Sequence, residues 1–326
     1  MILVTGGTGF LGRHLVLGLL KAGEQVRILA RGADAGLSEA GAQLITGGVL
    51  DPEALAEATA GVREIYHLAG QVSRDPAHAR LLHQVHVEGT RALLEAAHAA
   101  GARRVVVASS SGTVAVSRDP GALLDEEAPE PLELLARWPY YLSKRYQERA
   151  ALELGGRLGL EVVIANPSLL LGPGDLRLSS SQDVLRVLHG DLPVIPPGGL
   201  SFVDVRDVAA FLPTLMAQGR PGARYLLGGA NMPLQRFFER VAHIAEVPPP
   251  RLRLPGPAVV WGARALDRVG RWTGRRPAVD PVSAEMSACY WYLDDSRART
   301  ELGWESRDPY HTLADTVSDL RQRGLA

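Results

Sequence analysis

Tyr140 and Lys144 stand four residues apart in "WPYYLSKRYQERA", and Lys144 is one of only two lysines in the chain, the other being Lys21. Every other member of the 35 lysines and arginines is arginine. On a helix, residues i and i+4 share a face, so this phenol and this ammonium come within reach of each other. A phenol titrates near pH 10, and bringing it to about 7 takes about 4 kcal/mol of preferential stabilisation of the phenolate. A neighbouring ammonium supplies part of that, and a hydroxyl held between the two groups relays protons. Lysine suits the task because it is a compact point charge with rotatable donors, whereas arginine is a planar fork. Tyr141 offers no rival pairing, since Arg145 follows it by four. The plainer alternative, a chance pair on a surface helix, is rare in a chain with two lysines.

A third group is needed to hold the reacting oxygen. "VVVASSSGTV" sets Ser109, Ser110 and Ser111 at the end of an apolar, β-branched run. In open α/β sheets the carboxyl ends of the strands are where ligands sit, although such hydroxyls also cap turns. A second ligand-binding signal opens the chain: "ILVT" runs into "TGGTGFLG", with Gly6, Gly9 and Gly12 three apart and a helical pattern after them. Glycines so spaced permit a tight turn and bring backbone amides, those of Phe10 and Leu11 among them, to a diphosphate at the helix N-terminus. The strand–glycine–helix order therefore predicts a dinucleotide. The second strand ends in "RILARGADAG", where an acidic residue favours NAD and an arginine accommodates the 2′-phosphate of NADP. Arg31 takes that place, with Asp34 three residues on. NADP is the expected cofactor and NAD the alternative.

The elements that must position these groups alternate regularly. "QVRILAR", "AQLIT", "EIYHLAG", "RRVVVASS" and "LEVVIANPS" lack polar alternation and read as strands buried on both faces. Between them, segments such as "HVEGTRALLEAAHAAG" carry helical periodicity and end in glycine. The expected fold is α/β: a doubly wound parallel (Rossmann) sheet with a smaller, mostly helical C-terminal substrate domain. Residues 1–170 form the dinucleotide-binding part, which the chain rejoins at about 200–230 through "FVDVRDVAAFLPTLMA" and "RYLLGG". Residues 171–199 and 231–326 make the substrate domain.

Composition narrows the field. A net charge of −1 with 46% hydrophobic and 22% charged residues describes an ordinary globular protein and points away from nucleic acid. The single cysteine, Cys289, rules out an internal disulfide and a cysteine-based zinc site. His78, His83 and His86 match no strong zinc spacing, so no metal is expected. "MILVTGG" leaves no room for a leader, and no apolar run reaches the length of a membrane span, so a cytoplasmic location is expected. "PAVVWGARALDRVGRWTGRR" puts Arg264, Arg268, Arg271 and Arg275 largely away from an apolar face. It reads as a helix covering the substrate pocket with Val260, Trp261, Leu266 and Trp272 inward, or as a membrane-surface helix.

Taken together, "TGGTGFLG", "YHLAG", "HVEGT", "ASSSGTV", "YYLSK", "NPSLLLGPGD", "FVDVRDVA" and "LDDSRARTELGW" resemble, in order and over nearly the whole chain, the extended short-chain dehydrogenase/reductase family. The wording is most similar to its dihydroflavonol-reductase-like branch. The resemblance implies an NAD(P)-dependent enzyme with Tyr140 as general acid/base and Lys144 as its activator and ribose ligand. Ser110 corresponds to the serine that binds the reacting carbonyl, with Ser111 next if the register slips. Pro167 and Ser168 correspond to the segment beside the nicotinamide, and Leu68, Ala69 and Gly70 to the strand end lining the cofactor. Val49 keeps only a backbone contact to adenine, because the family's acidic residue before it is Gly48. His86 replaces the usual asparagine, as a relay or as packing, and Asn166 replaces the usual arginine. A small-molecule substrate is implied, as is a homodimer through the helices containing "RALLEAAHAA" and "YQERAALEL". Two reactions remain open: an NADP-dependent oxidoreductase acting on a carbonyl or alcohol of a small or hydrophobic substrate, and a nucleotide-sugar epimerase or dehydratase using the cofactor transiently. The sugar-nucleotide members' "VYG" and the arginine before "FVDV" are absent, Leu200–Ser201 standing in the latter place.

Overall fold

The computed structural model describes residues 1–192, 194–273 and 280–326. Its strands are β1 (Ile2–Thr5), β2 (Val26–Ala30), β3 (Gln43–Thr46), β4 (Glu64–His67), β5 (Arg104–Ala108), β6 (Glu161–Pro167), β7 (Leu169–Leu171), β8 (Val194–Ile195), β9 (Gly199–Asp204), β10 (Arg224–Leu227), β11 (Ala230–Pro233) and β12 (Leu252–Arg253). The helices before residue 200 are α1 (Phe10–Lys21), α2 (Ala35–Glu39), α3 (Pro52–Thr59), α4 (Ala79–His83), α5 (Gly89–Ala99), α6 (Leu132–Leu135), α7 (Pro139–Leu158) and α8 (Gln182–Leu188). After it come α9 (Val205–Gln218), α10 (Leu234–Ile244), α11 (Gly256–Thr273), α12 (Pro281–Met286), α13 (Ser296–Leu302) and α14 (Pro309–Gln322).

Seven parallel strands form the main sheet in the order β10-β6-β5-β4-β1-β2-β3. Strand order reverses between β1 and β4, and there the register sets Thr5 beside His67. That reversal opens a crevice at the carboxyl ends of the strands. The inner strands are apolar because both faces are covered. Leu15, Val16 and Leu19 of α1 and Val208, Leu212 and Leu215 of α9 pack one face. Ala54 and Leu55 of α3, Leu93 and Leu94 of α5, and Ala151 and Leu154 of α7 pack the other.

One segment behaves differently from the sequence expectation. "RYLL" does return to the sheet as β10, beside β6. "FVDV", as β9, instead joins β7 and β11 in a separate three-stranded sheet. A strand apolar on both faces fits either sheet, and periodicity does not choose between them. α8, α10 and α14 close a further core around Phe202, Phe237 and Leu313.

Candidate active site

The glycine loop is built around two positions that admit no side chain. Gly6 adopts φ +73°, and a Cβ there would stand 2.7 Å from the backbone N of Ala69. A Cβ on Gly12 would stand 2.2 Å from the carbonyl O of Gly6. The loop is thereby pressed against Leu68 and Ala69, at the end of β4. Gly9 opens α1 in extended conformation, with no side-chain cap and no acidic residue in the first turn. The amides of the first turn, at Phe10 and Leu11, thus meet no competing side-chain acceptor, an arrangement that fits a diphosphate.

Arg31 is exposed just past β2. Asp34 is engaged elsewhere: its carboxylate caps α2 through the amide of Leu37 and pairs with Arg13. The hydrogen bond from Arg13 outweighs burial and holds this carboxyl below its usual pKa. Val49 is buried against Gly89. Gly48 offers no side chain, and the nearby Asp51 caps α3 through the amides of Glu53 and Ala54. Arg13 was not singled out from the sequence; its partner lies 21 residues away, beyond any local spacing.

Pro139 starts α7, and one turn in, the helix lays Ser143, Lys144, Gln147 and Glu148 on its buried side. The Lys144 ammonium donates at 2.9 Å to the Ala108 carbonyl at the end of β5 and at 2.9 Å to Oε1 of Gln147. Two of its three donors are thus fixed by neutral acceptors. A Cβ on Gly70 would lie 3.4 Å from Nζ, so glycine keeps that approach open. Burial, opposed by the charge of Glu148, lowers the Lys144 pKa to about 8. Burial, with Tyr141 adding to it, pushes the Tyr140 phenol above its usual value, opposite to the lowering expected from the ammonium alone. Burial thus favours the neutral phenol at Tyr140.

Behind Lys144 hydrogen bonds run through a series of buried side chains and end on the backbone. Nε2 of Gln147 donates to Thr90 Oγ1, which donates in turn to the carbonyl of His86. His67 spans Thr90 Oγ1 and Thr5 Oγ1 with its two ring nitrogens, and Thr5 Oγ1 accepts from the amide of Ala69. His86 takes the amide of Gln71 on Nε2 at 3.0 Å, which leaves its proton on Nδ1 to donate to Ser143 Oγ at 2.8 Å. Ser143 passes the chain on to the Tyr140 carbonyl. Burial, with the charge of Lys144 after it, drops the pKa of His67 to about 3 and that of His86 to about 2. Both rings are neutral, and His86 braces the start of α7 against the backbone after Gly70.

The serine turn rests on a buried carboxylate. Glu148 accepts from Ser109 Oγ at 2.5 Å, Thr113 Oγ1 at 2.7 Å, Asn166 Nδ2 at 2.7 Å and Arg145 at 2.9 Å. Asn166 also donates to the Ser110 carbonyl at 3.0 Å. The charge of the family's usual arginine at position 166 is supplied by Arg145, with Arg224 at 3.5 Å. Ser109 and Ser111 are buried, whereas Ser110 is half-buried and accepts from the amide of Gly112. Pro167 ends β6, and Ser168 after it is buried with no hydrogen-bond partner for its hydroxyl among the described residues, an orphan that suits a ligand amide.

The wall next to Tyr140 is aromatic. Tyr141 lies 5.0 Å from the Tyr140 ring and 4.8 Å from Trp291, and Trp291 lies 5.3 Å from Trp138. A Cβ on Gly112 would stand 2.3 Å from Tyr141, so the serine turn and this wall meet only through glycine. The wall expected from α11 is not formed by Trp261 and Leu266, which are 71% and 56% exposed; Val260 is half-buried. α11 turns its small residues inward instead, with Ala263 buried and Gly256 against Ala288 and Pro197. The side chains of Trp272, Arg271 and Arg275 lie outside the described residues. Of the other histidines, His78 bonds Ser73 and His83 meets the ring of Tyr146.

A doubly wound sheet with a glycine loop entering α1 defines a dinucleotide-dependent enzyme of the extended short-chain dehydrogenase/reductase type. The chain belongs to the NAD-dependent epimerase/dehydratase family, whose model matches residues 2–228. It is similar to a Synechocystis protein provisionally named a dihydroflavonol 4-reductase, at 33% identity over 98% of this chain and 94% of that one. It is 35% identical to cinnamoyl-CoA reductase 1 of Oryza sativa, over 70% of this chain and 71% of the relative. The fold is shared with the dTDP-glucose 4,6-dehydratase of Streptomyces venezuelae, solved with NAD bound, at a TM-score of 0.76, 24% identity, and 99% and 98% coverage.

Proposed function

We propose that the chain is an NADP-dependent reductase that moves a hydride to a carbonyl of a small, hydrophobic substrate. The observation that carries this reading is the aromatic pair of Tyr141, against the Tyr140 ring, and Trp291, against Tyr141, backed by the buried Trp138. Such a wall suits an apolar or aromatic group better than a sugar diphosphate. The names of the reductase relatives agree with it. Preference for NADP is supported by the exposed Arg31 and by the engagement of Asp34 with Arg13 and α2. The residues that would hold the dinucleotide are Gly6, Gly9, Phe10, Leu11 and Gly12, with Arg31 and Val49 at its adenosine end. Leu68, Ala69 and Gly70, together with Tyr140, Lys144, Pro167 and Ser168, serve the other end.

When bound, the dinucleotide supplies the hydride. Ser110 Oγ accepts from the Gly112 amide, which leaves its own proton to donate to the substrate oxygen. Tyr140, kept protonated by burial, gives that oxygen its proton as charge develops there. Lys144, anchored on Ala108 and Gln147, has one donor left, which would serve the ribose and the proton path. α5 and α7 pack together and present Arg91, Glu95, Tyr146 and Arg149 outward, and this face is the one proposed for a homodimer.

The test is a screen of carbonyl compounds and of UDP- and dTDP-sugars with NADPH and NADH, following absorbance and product. Net oxidation of NADPH with an apolar carbonyl is the expected result. Conversion of a sugar nucleotide without net cofactor use would replace this reading with an epimerase or dehydratase.

A further inference from the structure

The outward face of α11 has no role in the site. Ala258, Trp261, Ala265 and Leu266 fall on one arc of this helix and are all exposed, Trp261 at 71% and Leu266 at 56%. The opposite face holds the helix to the protein through Gly256 and Ala263, packed toward α12 and Ala288. Arg264 and Arg268 border the apolar arc along one edge, both exposed. Arg264 reaches back to Glu285 on α12 at 3.2 Å. Just before the helix, Leu252 is 53% exposed between Arg251 and Arg253.

Charge singles the segment out further. Residues 251–276 contain seven arginines and one acidic residue, Asp267, in a chain whose net charge is −1. A single convex helix with an apolar ridge, an exposed tryptophan and one sign of charge at its border matches a planar anionic lipid surface. Tryptophan prefers the level of the headgroups, where one part of the ring is dry and its N–H is wet. Among the described residues no helix is long and apolar enough to cross a membrane, so contact of this kind is peripheral.

We propose that α11 docks the protein on anionic phospholipid, with Trp261 and Leu266 inserted at the headgroup level and Arg251, Arg253, Arg264 and Arg268 against the lipid charge. The inference does not depend on which substrate the enzyme reduces.

Flotation of the full chain with vesicles of phosphatidylcholine, alone or mixed with phosphatidylglycerol, tests it. The protein is expected to float with the mixed vesicles at low salt, to remain behind with phosphatidylcholine alone, and to be released by high salt. Arg268→Gln should weaken partitioning about fivefold, and Trp261→Ser by about tenfold. Both side chains are exposed, so an unchanged melting temperature is the expected control. Absence of flotation with the mixed vesicles at low salt would overturn the proposal. So would flotation that survives the Trp261→Ser/Leu266→Ser double variant. A dimer in sedimentation that the double variant dissociates, with no vesicle binding by the wild type, would assign the face to a second copy and overturn it equally.

Discussion

Lys144 and Gln147, one turn apart on α7, are joined by a 2.9 Å hydrogen bond from the ammonium to the amide oxygen, deep in the protein. The glutamine's other end is tied to Thr90, so its orientation is set from outside the helix. A hydrogen bond to the charged form favours it, and Lys144 already sits at about 8 through burial. The alkaline limb of kcat/KM is therefore expected near that pH. Gln147→Leu removes the acceptor, lowers the lysine pKa and moves the limb to lower pH by about one unit. Gln147→Glu adds a buried negative charge and moves it the other way. A pH profile for the two variants checks both signs; limbs that coincide with the wild type would remove Gln147 from the mechanism.

Tyr140→Phe deletes the proton donor and little else, because its ring contacts with Tyr141 and His86 survive. Turnover is expected to fall by about 10²–10⁴-fold. Cofactor affinity, measured by fluorescence titration, should stay within about twofold of wild type. Retained turnover would mean that another group protonates the substrate.

How much of this was readable in advance depended on distance along the chain. The Tyr140–Lys144 pair and the glycine loop are local patterns, set by i,i+4 geometry and by a strand–turn–helix order. The groups that hold them are not local. Gln147 meets Thr90 across 57 residues, Ser109 meets Glu148 across 39, and the Trp291 wall comes from the far end of the chain. Periodicity showed that α11 has two faces, but a face of glycine and alanine packs as well as one of tryptophan and leucine. It packs more closely, and the protein uses it. The same limit put β9 in the wrong sheet, since an apolar strand carries no label for its neighbours.

Arg31 stands exposed just past β2, while Asp34 is taken by Arg13, and the proposed NADP preference rests on these two residues. Wild type is expected to bind NADP more tightly than NAD. Arg31→Ala should weaken NADP by about 10–100-fold, the value of a charge-assisted hydrogen bond, and leave NAD nearly unchanged. Paired dissociation constants decide it, and tighter NAD binding by the wild type would reverse the assignment.

Gly112 allows the serine turn to sit on Tyr141, with only 2.3 Å available to a Cβ. Gly112→Ala is expected to push Tyr141 and Trp291 outward at about 1–3 kcal/mol of overpacking strain. If the aromatic wall binds substrate, KM rises severalfold with kcat less affected. Trp291→Ala should raise KM by removing wall area, at the cost of a cavity rather than of overpacking, so a KM rise shared by two variants with opposite effects on packing points to substrate contact. An unchanged KM in both would place the substrate elsewhere.

The two buried histidines make acid stability a specific expectation. His67 and His86 are held neutral by burial, with folded-state pKa values of about 3 and 2 against 6.5 for an open imidazole. The unfolded chain therefore takes up protons below pH 6.5 that the folded protein refuses, and stability falls as pH falls through that window. Each ring contributes about 1.4 kcal/mol per pH unit there. His86→Asn keeps a donor for Ser143 near the Nδ1 position and cannot titrate, while its shorter side chain gives up the bond to the Gln71 amide. Urea midpoints between pH 4 and pH 7 should accordingly fall less steeply for His86→Asn than for wild type, by about one proton in the slope. Equal slopes would show that His86 takes up its proton in the folded state, which would require the bond to Gln71 to open.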